Sequence, residues 1–278
     1  SIPLLSPNGV LDLKKAHNPI LKIKNIGQKE AEPIVPLQLR MEPSERCLMI
    51  TGPNAGGKSV AMKTIGLSTV MVQCGWGIPA DPNSEVPIIT GWFVDMGDEQ
   101  SIENDLSTFS SRLQWMRFAT EKAKKGALIL IDEAAAGTDP EEGGALFQSF
   151  IESMLDREAF LVVTTHHGSL KVFAHEHEKA VNGSMEFDQA HLAPTYQFKK
   201  GVPGSSYAFD IAHRMRLPSS ILNRARDVLG IQKNTLESLI SEMETKTQEV
   251  AKLEERLNVL QEKTQKEKRT YEHKLDSL

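Results

Sequence analysis

Eight consecutive residues, Gly52-Pro53-Asn54-Ala55-Gly56-Gly57-Lys58-Ser59, match the pattern G-x-x-x-x-G-K-[ST] at every fixed position. The chemistry of such a run is phosphate binding. Backbone N–H groups must converge on phosphate oxygens, and Gly52, Gly56 and Gly57 remove the Cβ atoms that would block the approach. Lys58 supplies a full positive charge at the β- and γ-phosphates, and Ser59 a hydroxyl for Mg²⁺. With Val60 these residues form the nucleotide-binding set. Farther on, the apolar run Leu128-Ile129-Leu130-Ile131 ends in Asp132-Glu133. A carboxylate at the end of a buried strand can hold Mg²⁺, which makes Asp132 the second metal ligand beside Ser59. Glu133, one residue on, can orient and polarise an attacking water as general base. His166 closes a third apolar run, Phe160-Leu161-Val162-Val163-Thr164-Thr165, and is placed to reach the γ-phosphate. The catalytic set read from these spacings is Lys58, Glu133 and His166.

Such groups need a rigid sheet edge to hold them. Residues 46–51 read as a short apolar strand that ends at the glycine loop, and residues 58–74 as a helix with Val60, Met62, Ile65, Leu67, Val70 and Met71 at helical spacing. Trp92-Phe93-Val94 is a further strand, followed by an acidic turn and a helix over 107–124. The unbroken runs at 127–131 and 160–165 suit central parallel strands buried on both faces, with a helix at 143–156 between them. Strands alternating with helices of 12–16 residues predict an α/β fold with a mostly parallel sheet. Residues 4–39, broken by Pro19, Pro33 and Pro36, predict short antiparallel strands, and residues 75–87 a loop. Residues 181–200 read as a hairpin turning near Asp188-Gln189, and 205–229 as two short helices broken at Leu217-Pro218.

Composition divides the chain. The whole carries 32 Lys and Arg against 37 Asp and Glu, a net charge of −5, but nine basic and ten acidic residues fall in the last 48 positions. A net acidic chain argues against a uniformly basic nucleic-acid coat. Leu236 at heptad position a puts Leu239, Met243, Val250, Leu253, Leu257, Leu260, Tyr271 and Leu278 on a and d positions, with Lys246, Thr264, Glu267 and Lys274 as exceptions. That pattern suits a coiled coil or a single solvated helix supported by i,i+4 ion pairs. Two cysteines, Cys47 and Cys74, make no disulfide framework and point to a reducing interior. No run reaches the roughly 20 apolar residues of a membrane span. The first residue is Ser1 and the last residues lie within a charged periodic stretch, which points to a piece of a longer cytoplasmic protein.

Together these features resemble the ATP-binding-cassette superclass, and within it the ATPase domain of the MutS family. The carriers are His17-Asn18-Pro19-Ile20-Leu21, the loop from Thr51 to Ser59, and Gly97-Asp98-Glu99-Gln100-Ser101-Ile102-Glu103-Asn104-Asp105-Leu106-Ser107-Thr108-Phe109. They continue with Asp132-Glu133-Ala134-Ala135-Ala136-Gly137-Thr138-Asp139-Pro140, Thr164-Thr165-His166 and Gly201-Val202-Pro203-Gly204-Ser205-Ser206-Tyr207. The wording Gly-Asp-Glu-Gln-Ser-Ile and Gly-Thr-Asp-Pro is similar to the second bacterial branch, which lacks the mismatch-reading domain and carries a C-terminal nuclease domain. The resemblance implies a P-loop NTPase of cassette type with a mostly parallel central sheet, an antiparallel N-terminal sheet and a C-terminal coiled-coil helix. It divides the chain into an ATPase domain at 1–200, a helix-turn-helix dimerisation element at 201–230 and the start of a coiled-coil connector at 231–278.

The same resemblance implies ATP and Mg²⁺ as cofactors and a homodimer packed head to tail, in which Ser107 faces the γ-phosphate held by the other subunit. A plain helix cap explains Ser107 equally well. Where many relatives stack an aromatic ring on adenine this chain has Ile34, with Tyr196 to cover the other side of the base. It also has Ala134-Ala135 where a hydrophobic residue and glycine are usual, and Val60 at the final Thr of the loop pattern, away from Mg²⁺. The function so implied is an ATP-hydrolysing motor acting on branched or recombining DNA, or on ribosomes, through regions outside this chain. The alternative is a nucleotide-gated binding module with negligible hydrolysis. No Leu-Ser-Gly-Gly-Gln signature occurs, which sets the chain apart from transporter ATPases and chromosome-maintenance heads.

Overall fold

The computed structural model describes residues 1–27, 32–53, 56–96, 105–188, 191, 193–205 and 207–229, together with Lys246, Val250, Leu253, Arg256, Leu257, Leu260, Gln261 and Thr264; of residues 105–108 and 210 it describes the backbone alone. The chain opens with β1 (Leu4–Ser6), β2 (Leu11–Ala16), α1 (Pro19–Asn25) and β3 (Leu37–Met41). It continues through β4 (Cys47–Thr51), α2 (Lys58–Gln73), β5 (Glu85–Pro87), β6 (Trp92–Asp95), α3 (Asp105–Lys122) and β7 (Leu128–Ile131). Next come α4 (Pro140–Asp156), β8 (Phe160–Thr164), α5 (Gly168–Glu176), β9 (Ala180–Asp188) and β10 (Ala193–Lys200), and then α6 (Ala208–Arg214) and α7 (Ser219–Leu229).

Six strands form the main sheet in the order β10-β9-β4-β8-β7-β6. All neighbours run parallel except β10, which returns antiparallel on β9. This is the mostly parallel α/β sheet that the alternating elements predict. The period of two explains the unbroken apolar runs. On one face Leu48, Ile50, Leu128, Leu130, Phe160 and Val162 pack with Ala61, Met62 and Ile65 of α2. On the other, Cys47, Met49, Ile129, Ile131, Leu161 and Val163 pack with Met116, Phe147, Ile151 and Leu170 from α3, α4 and α5.

Several expectations are corrected. The small sheet, ordered β1-β5-β2-β3, is mixed rather than antiparallel, because β1 pairs parallel with β5. Its strand β5 lies in the stretch 75–87 that reads as loop; it is drawn into the sheet by pairing and has no apolar alternation of its own. Residues 19–25 form a helix where the prolines suggested only strands and turns. Pro19 sits at its first position, where a missing N–H costs nothing, and the Asn18 side chain accepts from Ile20 and Leu21 N–H at 3.0 and 3.2 Å. The inner face of α2 is also redrawn. Val60 and Val70 are exposed, while Thr64, Ser68 and Thr69 are buried. Thr64 is held there by Asn18, whose amide donates to its hydroxyl at 3.1 Å.

Two compact units divide the chain, Ser1–Arg224 and Ala225–Leu278. In the second, Val250, Leu253, Leu257 and Leu260 are helical and more than half exposed. Leu236, Leu239, Met243, Tyr271 and Leu278 of the heptad reading lie outside the described residues, as do Gln189 at the expected hairpin turn and residues 97–104 of the acidic turn.

Candidate active site

Because β4, β8 and β7 are parallel neighbours, their C-terminal ends share one edge, and each delivers part of the site. From β4 the chain enters the phosphate loop. Gly57, at φ +95°, caps α2 in a left-handed conformation. Gly52 lies against β9, where an added Cβ would stand 3.2 Å from the Met185 carbonyl oxygen. Lys58 begins α2 and is buried. Its Nζ donates to the carbonyls of Gly52 and Pro53, each at 3.0 Å, and burial lowers its pKa. Asn54 and Ala55 lie outside the described residues.

The neighbouring residue joins the loop to β7. Ser59 Oγ donates to Asp132 Oδ1 at 3.0 Å, and Thr164 Oγ1, from the end of β8, donates to the same oxygen at 2.5 Å. The Thr164 oxygen in turn accepts the Glu133 N–H at 2.8 Å. One threonine hydroxyl therefore ties both acids to the strand between them and the loop. Ser59 and Asp132 present a hydroxyl and a carboxylate side by side, an all-oxygen pair of the kind a hard divalent cation takes when phosphate and water complete its shell. Among the described residues no group of three or more His, Cys, Asp or Glu could enclose a metal by itself. The donor set thus suits Mg²⁺ held jointly with a bound nucleotide.

Glu133 leaves the strand in a left-handed conformation, φ +52°, and Ala135 follows at +67°, a strained course for residues with a Cβ. The Glu133 side chain is exposed at the strand edge, and its charge acts on Lys58. His166 follows β8, which lies beside β7 as expected. Surrounding protein, then the ammonium charges of Lys58 and Lys171, push its imidazole down to about 4, so it is neutral at pH 7.

Not every predicted site residue converges here. The Val60 side chain is on the outer surface of α2. Tyr196 stands at the register shift of β10 with φ +58°, and its ring edge lies 3.3 Å from where a Gly57 Cβ would be. Ile34 is half-buried between α1 and β3. Ser107 lies in the first turn of α3, and its side chain is outside the described set.

Sequence reasoning missed three contributors. Thr164 was read as the end of an apolar run and as part of the Thr164-Thr165-His166 wording, with no role in holding the two acids. Arg112, in a helix whose pattern looked ordinary, is buried and reaches the backbone of Asp132 and Glu133. Lys171 of α5, also buried, donates Nζ to the Gly204 carbonyl at 2.7 Å. Gly204 N–H donates to Thr51 Oγ1 at 2.6 Å, and a Cβ on Gly204 would lie 2.8 Å from both the N and Cα of Gly52. The segment after β10 therefore packs backbone to backbone against the base of the phosphate loop. No pattern in the sequence signals such a contact.

The family model described as MutS domain V matches residues 48–233. The endonuclease MutS2 of Thermomicrobium roseum is 43% identical over 241 residues, covering 87% of this chain and 29% of that protein. The Finegoldia magna endonuclease MutS2 is 38% identical over 274 residues, 99% of this chain and 34% of that protein. In Brevibacillus brevis the corresponding figures are 40% over 242 residues, 87% and 30%. The chain spans about a third of the length of these curated relatives. With the loop, the paired acids and the threonine–histidine strand end gathered at one sheet edge, the chain belongs to the MutS family, as a domain V of the MutS2 type.

Proposed function

We propose that the chain is a Mg²⁺-dependent ATPase, converting ATP and water to ADP and phosphate. The observation that carries this reading is the meeting of Lys58, Ser59, Asp132, Glu133 and His166 at the ends of three adjacent parallel strands. The Lys58 ammonium, which donates to the neutral carbonyls of Gly52 and Pro53, exchanges them for the β- and γ-phosphate oxygens. Ser59 and Asp132 hold the cation, whose contribution when bound is to neutralise charge on the transferring phosphoryl group. Glu133 orients a water for in-line attack on the γ-phosphorus. Neutral His166 keeps an N–H to donate to a γ-phosphate oxygen. Ile34 and Tyr196 flank the base.

Two such sites act together in a homodimer, with Ser107 of each subunit at the γ-phosphate of the other, the helices at 201–230 stabilising the pair and residues 231–278 leading out as a coiled coil. ATP closes the interfaces and hydrolysis releases them. The motion serves branched or recombining DNA, or ribosomes, engaged by other parts of a longer cytoplasmic protein. The name endonuclease belongs to the relatives, and no residue described here is assigned to that activity.

Steady-state phosphate release, with Lys58→Ala as control, tests the reading. Glu133→Gln is expected to bind ATP with near-parent affinity and to lose at least about 100-fold in kcat, the scale of general-base catalysis. A parent chain that binds ATP without releasing phosphate would instead mark a nucleotide-gated binding module.

A further inference from the structure

Glu133 is held from α3 as well as from β8. Arg112, 7% exposed at its side chain, extends its guanidinium beneath the turn after β7. Nη2 donates to the Asp132 carbonyl at 2.5 Å and Nη1 to the Glu133 carbonyl at 2.9 Å. Nε lies 2.9 Å from Asp95 Oδ2 at the end of β6, an ion pair between two largely buried groups. The guanidinium also stands 6.0 Å from the Phe147 ring centroid of α4.

The two carbonyls that Arg112 grips are not interchangeable with any other two. The Asp132 carbonyl fixes the peptide plane before the Glu133 Cα, and the Glu133 carbonyl fixes the plane after it. Together the two planes define φ and ψ of Glu133, and hence the direction of its Cα–Cβ bond. That torsion pair is left-handed, φ +52°, which an L-residue leaves unless its surroundings hold it. A planar fork with fixed donor spacing can hold two adjacent carbonyls, whereas a lysine would offer a single point charge. From the other side Thr164 Oγ1 accepts the Glu133 N–H.

We propose that Arg112 is a positioning residue for hydrolysis: by gripping the carbonyls on both sides of Glu133 it aims that carboxylate, and it makes the aim depend on where α3 sits. The inference rests on the ATPase reading, in which Glu133 orients the water. Ser107 lies five residues earlier on α3, about 7.5 Å along the helix axis. A second nucleotide engaged at the N-terminus of α3 therefore reaches Glu133 through one rigid helix and one side chain.

The test compares Arg112→Met and Arg112→Lys with the parent in single- and multiple-turnover ATP hydrolysis, with ATP affinity measured separately and folding checked by denaturant titration. The expected result is a kcat lower by about 10- to 100-fold for Arg112→Met, an ATP Kd within about threefold of the parent, and an intermediate kcat for Arg112→Lys, which can reach one carbonyl. In the Glu133→Gln background the same substitutions should lower the residual rate no further, because the group they aim is gone. A merely structural arginine would weaken ATP binding in step with kcat and add its full loss to Glu133→Gln; either result overturns the proposal. So does parent-level kcat in both Arg112 variants. Should Arg112→Met fail to fold, Arg112→Lys and its double variant decide by the same criteria. Parent-level turnover in Glu133→Gln alone would overturn the assignment of Glu133 as the residue that orients the water, whereas a parent chain that binds ATP without releasing phosphate would overturn the ATPase reading itself, whatever Arg112 does.

Discussion

Thr164 carries more of the site than its size suggests. Its single proton goes to Asp132 and its oxygen takes the Glu133 N–H, so Thr164→Val keeps the shape while leaving the part-buried Glu133 N–H without this acceptor. The expected cost is about 1–3 kcal/mol by denaturant titration, together with a higher Mg²⁺ requirement for hydrolysis. His166 offers a different measurement. Its imidazole, at about 4 in the folded chain, should titrate well below the ordinary histidine range in a proton NMR titration. Lys58→Met removes one of the positive charges responsible, and the midpoint should rise. The sign for stability follows. Between the ordinary value and about 4 the unfolded chain binds a proton that the folded chain refuses, so this group's contribution is intact above about pH 6.5 and is lost as pH falls toward 4.

Among the elements, α1 shows what local reading misses. Pro19, Pro33 and Pro36 suggested broken strands, yet Pro after an asparagine cap starts a helix. Asn18→Ala should cost about 1–2 kcal/mol, since it removes both the cap and the hydrogen bond to Thr64 on α2; thermal unfolding measures it. The strands β4, β7 and β8 were legible because burial on both faces writes a continuous apolar run, and the phosphate loop because its backbone demands are met by eight adjacent residues. Arg112 was illegible for the converse reason. An arginine in a helix reads as solvated, and only the packing of α3 against β6 and β7 shows it buried. Asp139, part of the wording that carried the family resemblance, accepts from the Glu141 and Glu142 N–H groups at the start of α4, a capping role that the spacing did not disclose.

At the scale of the whole molecule, nucleotide and fold are linked by mass action. ATP at about a hundred times its Kd should stabilise the folded chain by about 2.7 kcal/mol, and Lys58→Ala should abolish the gain. The cysteines report it without a label. Cys74 is exposed, whereas Cys47 is fully buried in β4 with its thiol pushed up to about 12, so a thiol reagent should take one cysteine at once and the second only on unfolding. With ATP the second reaction should slow about 100-fold.

The seating of Gly204 on Gly52 also bears on where this chain can be cut. A truncation at Lys200, the last residue of β10, would look harmless on a strand diagram. It would strip Thr51 of the N–H it accepts, leave the Lys171 ammonium without its carbonyl, and bare the underside of the phosphate loop. The smallest piece expected to bind ATP with parent affinity therefore runs through Tyr207, whose ring stacks on Phe187 of β9 at 4.9 Å between centroids.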